Sequence, residues 1–357
     1  MTKKKICIVV GARPNFVKVA PLIRVISKTD GATYALVFTG RPDDPTLERT
    51  LFDDLGLSAP DACLGVDSQR LNEITSRVMA EFDSYLDVHP CDVVIVVDDL
   101  ASTMAAAIVT KKRGIKLAHL VAGTRSFDIN MPKEINRLVI DALSDYLFTA
   151  GMKSNSVASR EQGAASQTYL VGNILLDSLR YNCSRFRQPV VEGIDLALQP
   201  YLVLTINRKA LLADSEGLKQ MLDVVMSCQL PVVAPVRGEA CSFLLKHYSS
   251  ASNLHVTEPL SYLEFGWLTM HAKGIVTDSG NVAEEATFNG VPCITLNSYT
   301  EHQETVSQGT NELVGGDVDK LRVAIGSLMA GQWKNSTLPD RWDGRTAERI
   351  VQILLNT

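Results

Sequence analysis

A run of five β-branched residues, Val93 to Val97, delivers two carboxylates, Asp98 and Asp99, to the place where a buried strand meets its loop. A carboxyl group there can serve as a general acid or base, because burial and a like charge beside it both raise its pKa. Neighbours on a strand face opposite ways, so one of the two is expected in a site and the other is available to cap the next helix. After an earlier apolar run, Ile6–Val10, the turn Gly11-Ala12-Arg13-Pro14 offers a guanidinium fork suited to phosphate or carboxylate. Lys18 follows about one helical turn farther on. A dinucleotide site would need G-x-G-x-x-G here, and a single glycine argues against NAD.

A second place for chemistry is Thr277-Asp278-Ser279-Gly280-Asn281, a strand passing into a helix. Free N–H groups and the positive dipole end at Gly280 and Asn281 suit a phosphate, with the Ser279 hydroxyl assisting. Glu285 lies far enough into that helix to reach a ribose. An ordinary serine cap followed by a solvated Glu pair fits the same residues equally well. Arg208 and Arg237, permanently charged forks, are further phosphate ligands in this reading, and His302 can add a contact. Glu134 stands in the first turn after Pro132, with Asn130 as the candidate N-cap, and taken alone it reads as a capping-box partner or dipole complement. No His, Cys and carboxylate cluster has metal-site spacing, so neither metal nor cofactor is expected. His89, His119, His247, His255 and His271 receive no role.

The elements that must hold these groups are short β-branched runs alternating with helical patterns, the sequence form of βαβ units and a parallel sheet covered on both faces. Strands are expected at Ile6–Val10, Tyr34–Thr39, Val93–Val97, Leu117–Leu120 and Tyr146–Thr149. Leu71, Ile74, Val78, Phe82 and Tyr85 form one stripe of a helix between them. The pattern then restarts with Tyr201–Ile206, Pro231–Val236, Gly274–Thr277 and Pro292–Leu296. We therefore expect a doubly wound domain over 1–180, a linker over 181–199, a second such domain over 200–343 that binds the nucleotide, and a helix from 344 to 357 packing back on the body. Two such halves place strand carboxyl ends on the facing walls of a cleft.

The 357 residues are 46% hydrophobic and 21% charged, which argues for a large core and against disorder. A net charge of −5 gives no overall pull toward nucleic acid or an anionic membrane. The seven cysteines are scattered and never form C-x-x-C, so reduced thiols are expected. The first apolar run ends too early for a signal peptide and no stretch is long enough to span a membrane, which makes the cytoplasm the expected location.

In order along the chain, these stretches resemble the non-hydrolysing UDP-N-acetylglucosamine 2-epimerase family from about residue 6 to 315. The matching text includes Gly11-Ala12-Arg13-Pro14 with Lys18, the Asp99 strand end, Ala122-Gly123-x-Arg125, and Phe127-Asp128-x-Asn130-Met131-Pro132-x-Glu134-x-Asn136-Arg137. It continues through Ser144-Asp145-Tyr146, Glu258-Pro259-Leu260, Thr277-Asp278-Ser279-Gly280, Glu284-Glu285-Ala286 and Gly309-Thr310-Asn311. The resemblance implies an α/β fold of two Rossmann-like doubly wound domains of the GT-B type, UDP held mainly by the second domain, and a homodimer. It also implies an isomerase that removes the C2 proton of a UDP-N-acetylhexosamine, expels UDP and adds it back with C2 inverted, supplying precursors of surface polysaccharide. Lys18, Asp99 and Glu134 then take catalytic roles.

Two positions depart from the family's pattern. Val121 stands where the family has Glu and Asn207 where it has His, and neither can transfer a proton. Around the nucleotide, Asn281, Ala283, Arg237-Gly238 and Glu301-His302-Gln303 also differ from the family's text. Besides an epimerase that recruits other groups, such as Asp98 or Asp128, this leaves an altered UDP-sugar hydrolase or lyase, and a UDP-sugar-binding subunit without turnover.

Overall fold

The computed structural model describes residues 3–47 and 49–357. The chain divides into two compact units, one running to Arg180 and rejoined by Asp340–Thr357, the other spanning Tyr181–Pro339. In the first unit, β1 (Lys4–Val10), β2 (Ala32–Phe38), β3 (Ala62–Cys63), β4 (Val93–Val97), β5 (Lys116–Ala122), β6 (Tyr146–Thr149) and β7 (Gln167–Leu170) make one parallel sheet in the order β3-β2-β1-β4-β5-β6-β7. Every residue of β4 is buried, as a strand covered on both faces requires. On one face Cys7, Val9, Val94 and Val96 pack with Phe82, Leu86, Ala106 and Ile140.

The second unit repeats the plan with β8 (Leu202–Thr205), β9 (Val232–Pro235), β10 (Leu254–Thr257), β11 (Gly274–Thr277), β12 (Cys293–Thr295) and β13 (Asn311–Leu313), ordered β10-β9-β8-β11-β12-β13 and parallel throughout. Alternation along β8 divides its side chains between two cores. Leu202 and Leu204 join Leu218, Leu222 and Leu321, while Val203 joins Leu268, Val282 and Ala286 on the other face. In each sheet the strand order reverses at one place, between β1 and β4 and between β8 and β11. The loops leaving the carboxyl ends at such a reversal diverge to opposite faces and leave a crevice for a ligand.

The chain's return to the first unit is fixed by specific contacts. Trp342 donates its indole N–H to the Ala150 carbonyl at 2.9 Å, and Gly172, at φ +101°, lets the Arg341 carbonyl come where a Cβ would collide with it. The helix Thr346–Asn356 packs on the helix Arg13–Ser27. Its first amides, those of Thr346 and Ala347, donate to Asp177 at 3.0 and 2.7 Å. Burial outweighs these donors and pushes the Asp177 carboxyl up to about 6.

Some expectations need adjusting. The segment 181–199, read as a linker, lies within the second unit, where Val191 and Leu196 are buried in its core. Edge strands β3, β7, β10 and β13 escape the hydrophobic pattern because they are two to four residues long and mostly half-buried. On the helix Leu71–Val88 the buried residues are Val78, Phe82 and Leu86, and Leu71 is exposed.

Candidate active site

The first cluster forms where β1, β4 and β5 end. Asp98 takes a left-handed φ of +58° and turns its carboxylate to the helix Arg13–Ser27, where Lys18 Nζ lies 2.6 Å from Oδ1 and Asn15 Nδ2 donates to Oδ2 at 2.7 Å. Asp99 faces the other way, to the helix Pro132–Leu143. Arg137 reaches its Oδ2 at 2.6 and 2.8 Å, and Lys133 Nζ stands 3.3 Å from Oδ1. Burial pushes the Asp99 carboxyl up, and the two cations more than reverse this, leaving it below its ordinary range. Neither aspartate caps the next helix, contrary to expectation, since Leu100 occupies the N-cap and bonds to Thr103 there.

Glu134 stands in the first turn of its helix, as a dipole complement would, but makes no capping box. The N-cap is Met131 rather than Asn130, whose side chain instead donates to Asp128. The Glu134 carboxylate accepts from Ser126 N at 2.8 Å, Ser126 Oγ at 2.9 Å and Phe127 N at 3.2 Å, and Arg137 Nη1 stands 3.1 Å away. Against the cost of burial these donors hold it below the usual carboxylate range. Arg137 therefore bridges Asp99 and Glu134, two groups expected in the site.

Behind them runs a chain that sequence reasoning left without a role. His119 Nδ1 stands 2.6 Å from Asp141 Oδ1 and its Nε2 stands 2.9 Å from the Asp98 carbonyl. Both ring nitrogens thus face acceptors. Asp141 Oδ2 in turn meets Arg125 Nη1 at 2.7 Å and the Gly123 amide at 3.0 Å. Burial pushes Asp141 up, and His119 and Arg125 bring it below its ordinary value. His119 sits mid-strand among apolar residues and reads as core, so only the fold reveals its partner twenty-two residues on. Val121 lies beside this chain with φ +72°, a strained conformation for a β-branched residue. Asp128, a possible substitute proton carrier, is exposed and bonded to Asn130. Arg13 begins its helix at the end of β1.

The second cluster gathers at the ends of β8 and β11. The buried Asp278 carboxylate accepts the backbone N–H groups of Asn207 and Arg208 at 2.7 and 2.6 Å, fixing the loop after β8. The Arg208 guanidinium lies over the Tyr299 ring, 5.9 Å from its centroid. Ser279 is the N-cap of the helix Gly280–Asn289 and makes no side-chain cap bond, and its backbone N–H donates to Thr277 Oγ1. The His302 ring edge passes 3.9 Å from where a Gly280 Cβ would stand, and His302 Nδ1 is 3.0 Å from Glu284 Oε1. The Glu pair is not solvated: Glu284 and Glu285 are both buried. Burial, then the Glu284 charge, pushes Glu285 up to about 8, so it is largely protonated at neutral pH. Arg237 precedes the helix Gly238–Tyr248 at the end of β9 and is exposed. Among the described residues no group of His, Cys, Asp or Glu is arranged to hold a metal ion.

Chemically, the first cluster can move protons and stabilise charge, and the second can receive an anion through arginine forks and helix-start amides. A family model described as UDP-N-acetylglucosamine 2-epimerase matches residues 24–355. The UDP-N-acetylglucosamine 2-epimerase of Methanocaldococcus jannaschii is 32% identical to this chain over 98% of both. The UDP-2,3-diacetamido-2,3-dideoxy-D-glucuronate 2-epimerase of Pseudomonas aeruginosa is 30% identical over 91% of this chain and 93% of its own. The M. jannaschii epimerase structure in complex with UDP-GlcNAc and UDP superposes with a TM-score of 0.85 at 31% identity, over 99% of this chain and all of that one. A Neisseria meningitidis structure bound to UDP-GlcNAc gives 0.90 at 24% identity, with 99% and 100% covered, which speaks for the fold, GT-B, alone. No described helix is long and apolar enough to cross a membrane.

Proposed function

Because the chain belongs to the UDP-N-acetylglucosamine 2-epimerase family, we propose that it binds a UDP-N-acetylhexosamine and epimerises it at C2 by losing UDP and taking it back with inversion. The observation that supports this most is the pair of strand-end clusters, each at the reversal point of its own sheet. In this reading Lys18, Asp99 and Glu134 handle protons and developing charge, helped by Arg13. Arg208, Arg237, Ser279, Gly280, Asn281 and His302 receive the diphosphate, and protonated Glu285 donates to the ribose. The protein works as a homodimer in the cytoplasm, on precursors of surface polysaccharide.

Val121 and Asn207 favour a second reading, in which UDP-sugar is bound and either cleaved or left unchanged. Proton NMR of UDP-GlcNAc with the protein in deuterium oxide separates these. Deuterium at C2 is the epimerase outcome, whereas free UDP with a glucal or free sugar marks a lyase or hydrolase. Binding without any turnover marks a subunit. The P. aeruginosa relative, named for a diacetamido uronate, makes that sugar the second substrate to try. Val121→Glu combined with Asn207→His is expected to raise C2 exchange about a hundredfold, the lower end of what acid–base groups contribute.

A further inference from the structure

Asp98 is a non-glycine residue held in the left-handed region, where an L side chain is strained by roughly 1 kcal/mol or more. Its main chain is gripped from β5: the amide donates to the Leu120 carbonyl at 3.3 Å and the carbonyl accepts from His119 at 2.9 Å. The side chain meets a prepared partner. Asn15, fully buried, spends its Oδ1 on the Gly11 and Ala12 amides at 2.9 and 3.2 Å and turns its Nδ2 to Asp98. Lys18, with 8% of its side chain exposed, closes the other carboxylate oxygen.

Of the remaining carboxylates of this cluster, Glu134 and Asp141 are tied to arginines, and Asp99 to Arg137 and the exposed Lys133. Arg137 holds Asp99 and Glu134, and Arg125 holds Asp141. A guanidinium does not give up its proton in a protein, whereas a lysine ammonium can. We infer that Asp98 is a positioning residue for Lys18, kept in a strained backbone because that conformation holds the Lys18 ammonium charged and aimed at the sheet's reversal point. Lys18 can give its one proton to a leaving oxygen, which leaves its amine beside the Asp98 carboxylate, and the amine takes a proton back from that oxygen or from water. The charged groups around the pair are Asp99 with Arg137 and Lys133, the His119–Asp141–Arg125 chain, and Arg13 at the start of the helix that carries Lys18.

The chemistry rests on the proposed epimerase reading, but the pairing is testable without turnover. Reductive methylation reaches only neutral amines, and tryptic mass spectrometry reports Lys18 separately from the surface lysines. Asp98→Asn tolerates the left-handed backbone and keeps the shape while removing the charge. Methylation of Lys18 at pH 8 is expected to rise about tenfold, since an adjacent opposite charge shifts a pKa by about a unit or more. Asp98→Glu is expected to restore slow methylation. Asp98→Gly relieves the backbone while also removing the charge, and it serves if Asp98→Asn does not fold. The alkaline limb of C2 deuterium incorporation should move about one pH unit lower in either charge-removing variant. An unchanged Lys18 rate in a folded variant overturns the inference. A wild type without C2 exchange whose Lys18 is still unmasked by Asp98→Asn supports it and counts against the epimerase reading alone.

Discussion

The two strand-end clusters hold similar numbers of carboxylates, and Glu285 in the second is treated in the opposite way to those of the first. In the first unit Glu134 and Asp141 are buried among cations and amides, Asp99 is half-buried between two cations, and each is held below its ordinary range. In the second, Glu285 is buried beside another carboxylate and pushed up to about 8. The first cluster arrives with its charges already matched. The second keeps its arginines on exposed or half-buried loops and its glutamate neutral, which suits a site whose balancing charge comes from outside. Fixed charge costs no reorganisation at the moment of reaction, while a site for a dianion must not be neutralised beforehand.

The sharpest way to break this contrast is to remove one charge from the matched set. Asp141→Ala leaves His119 with the Asp98 carbonyl and Arg125 with the Thr124 carbonyl and the more exposed Glu161, and loss of one partner of a buried pair costs about 3–5 kcal/mol, of which the lower end is expected here. Urea unfolding should register that loss, and a change under about 1 kcal/mol would mean the network is not cooperative. The same operation in the second cluster should have the opposite sign. At pH 8.5 Glu285→Gln is expected to stabilise the fold by about 2 kcal/mol, since each unit of raised pKa is worth about 1.4 kcal/mol and the new amide forfeits part of that gain. At pH 5 the advantage should vanish, because Glu285 is then protonated in the folded state.

The linkage gives each unit its own pH profile. A carboxyl raised when folded costs stability above its folded pKa, so Glu285 should strengthen the second unit as pH falls from about 8 toward about 4.3. Carboxyls depressed when folded contribute fully above about pH 4 and lose that contribution as pH falls through their folded values. Asp177, raised to about 6, moderates this in the first unit from pH 6 downward. Trp342 is buried in the first unit, and Trp267 and Trp333 lie in the second. Single-tryptophan variants should therefore separate by about 1 kcal/mol below pH 4, with the Trp342 signal lost first. Coincident acid transitions would erase the distinction.

How much of this was legible in the sequence follows the same division between what is local and what is brought together. Val93–Val97, Tyr146–Thr149 and Gly274–Thr277 coincide with strands because a doubly covered strand is a continuous apolar run. Asp99 stands at a strand end and Glu134 at a helix start, whereas Lys18 lies inside its helix, and a role for the three together is implied by the family resemblance rather than by residue type. The direction Asp98 takes depends on a φ that no side chain advertises. The His119–Asp141 contact joins a strand to a helix whose register only folding sets, and the capping-box reading of Glu134 was reasonable local chemistry overridden by Ser126, Phe127 and Arg137.

Val121 offers the gentlest test of the comparison, because its strained backbone belongs to the first cluster, where its carbonyl accepts the Thr124 hydroxyl. A β-branched residue at φ +72° crowds its own backbone, and asparagine accepts the left-handed region more readily. Val121 is half-buried, so the substitution also gives up some apolar burial. We expect Val121→Asn to raise stability by less than about 1 kcal/mol, visible as a small upward shift in thermal midpoint. If it destabilises the protein instead, the Val121 side chain is packing the His119–Asp141 chain from above, and the tight charge matching of the first cluster depends on an apolar wall as well as on its cations.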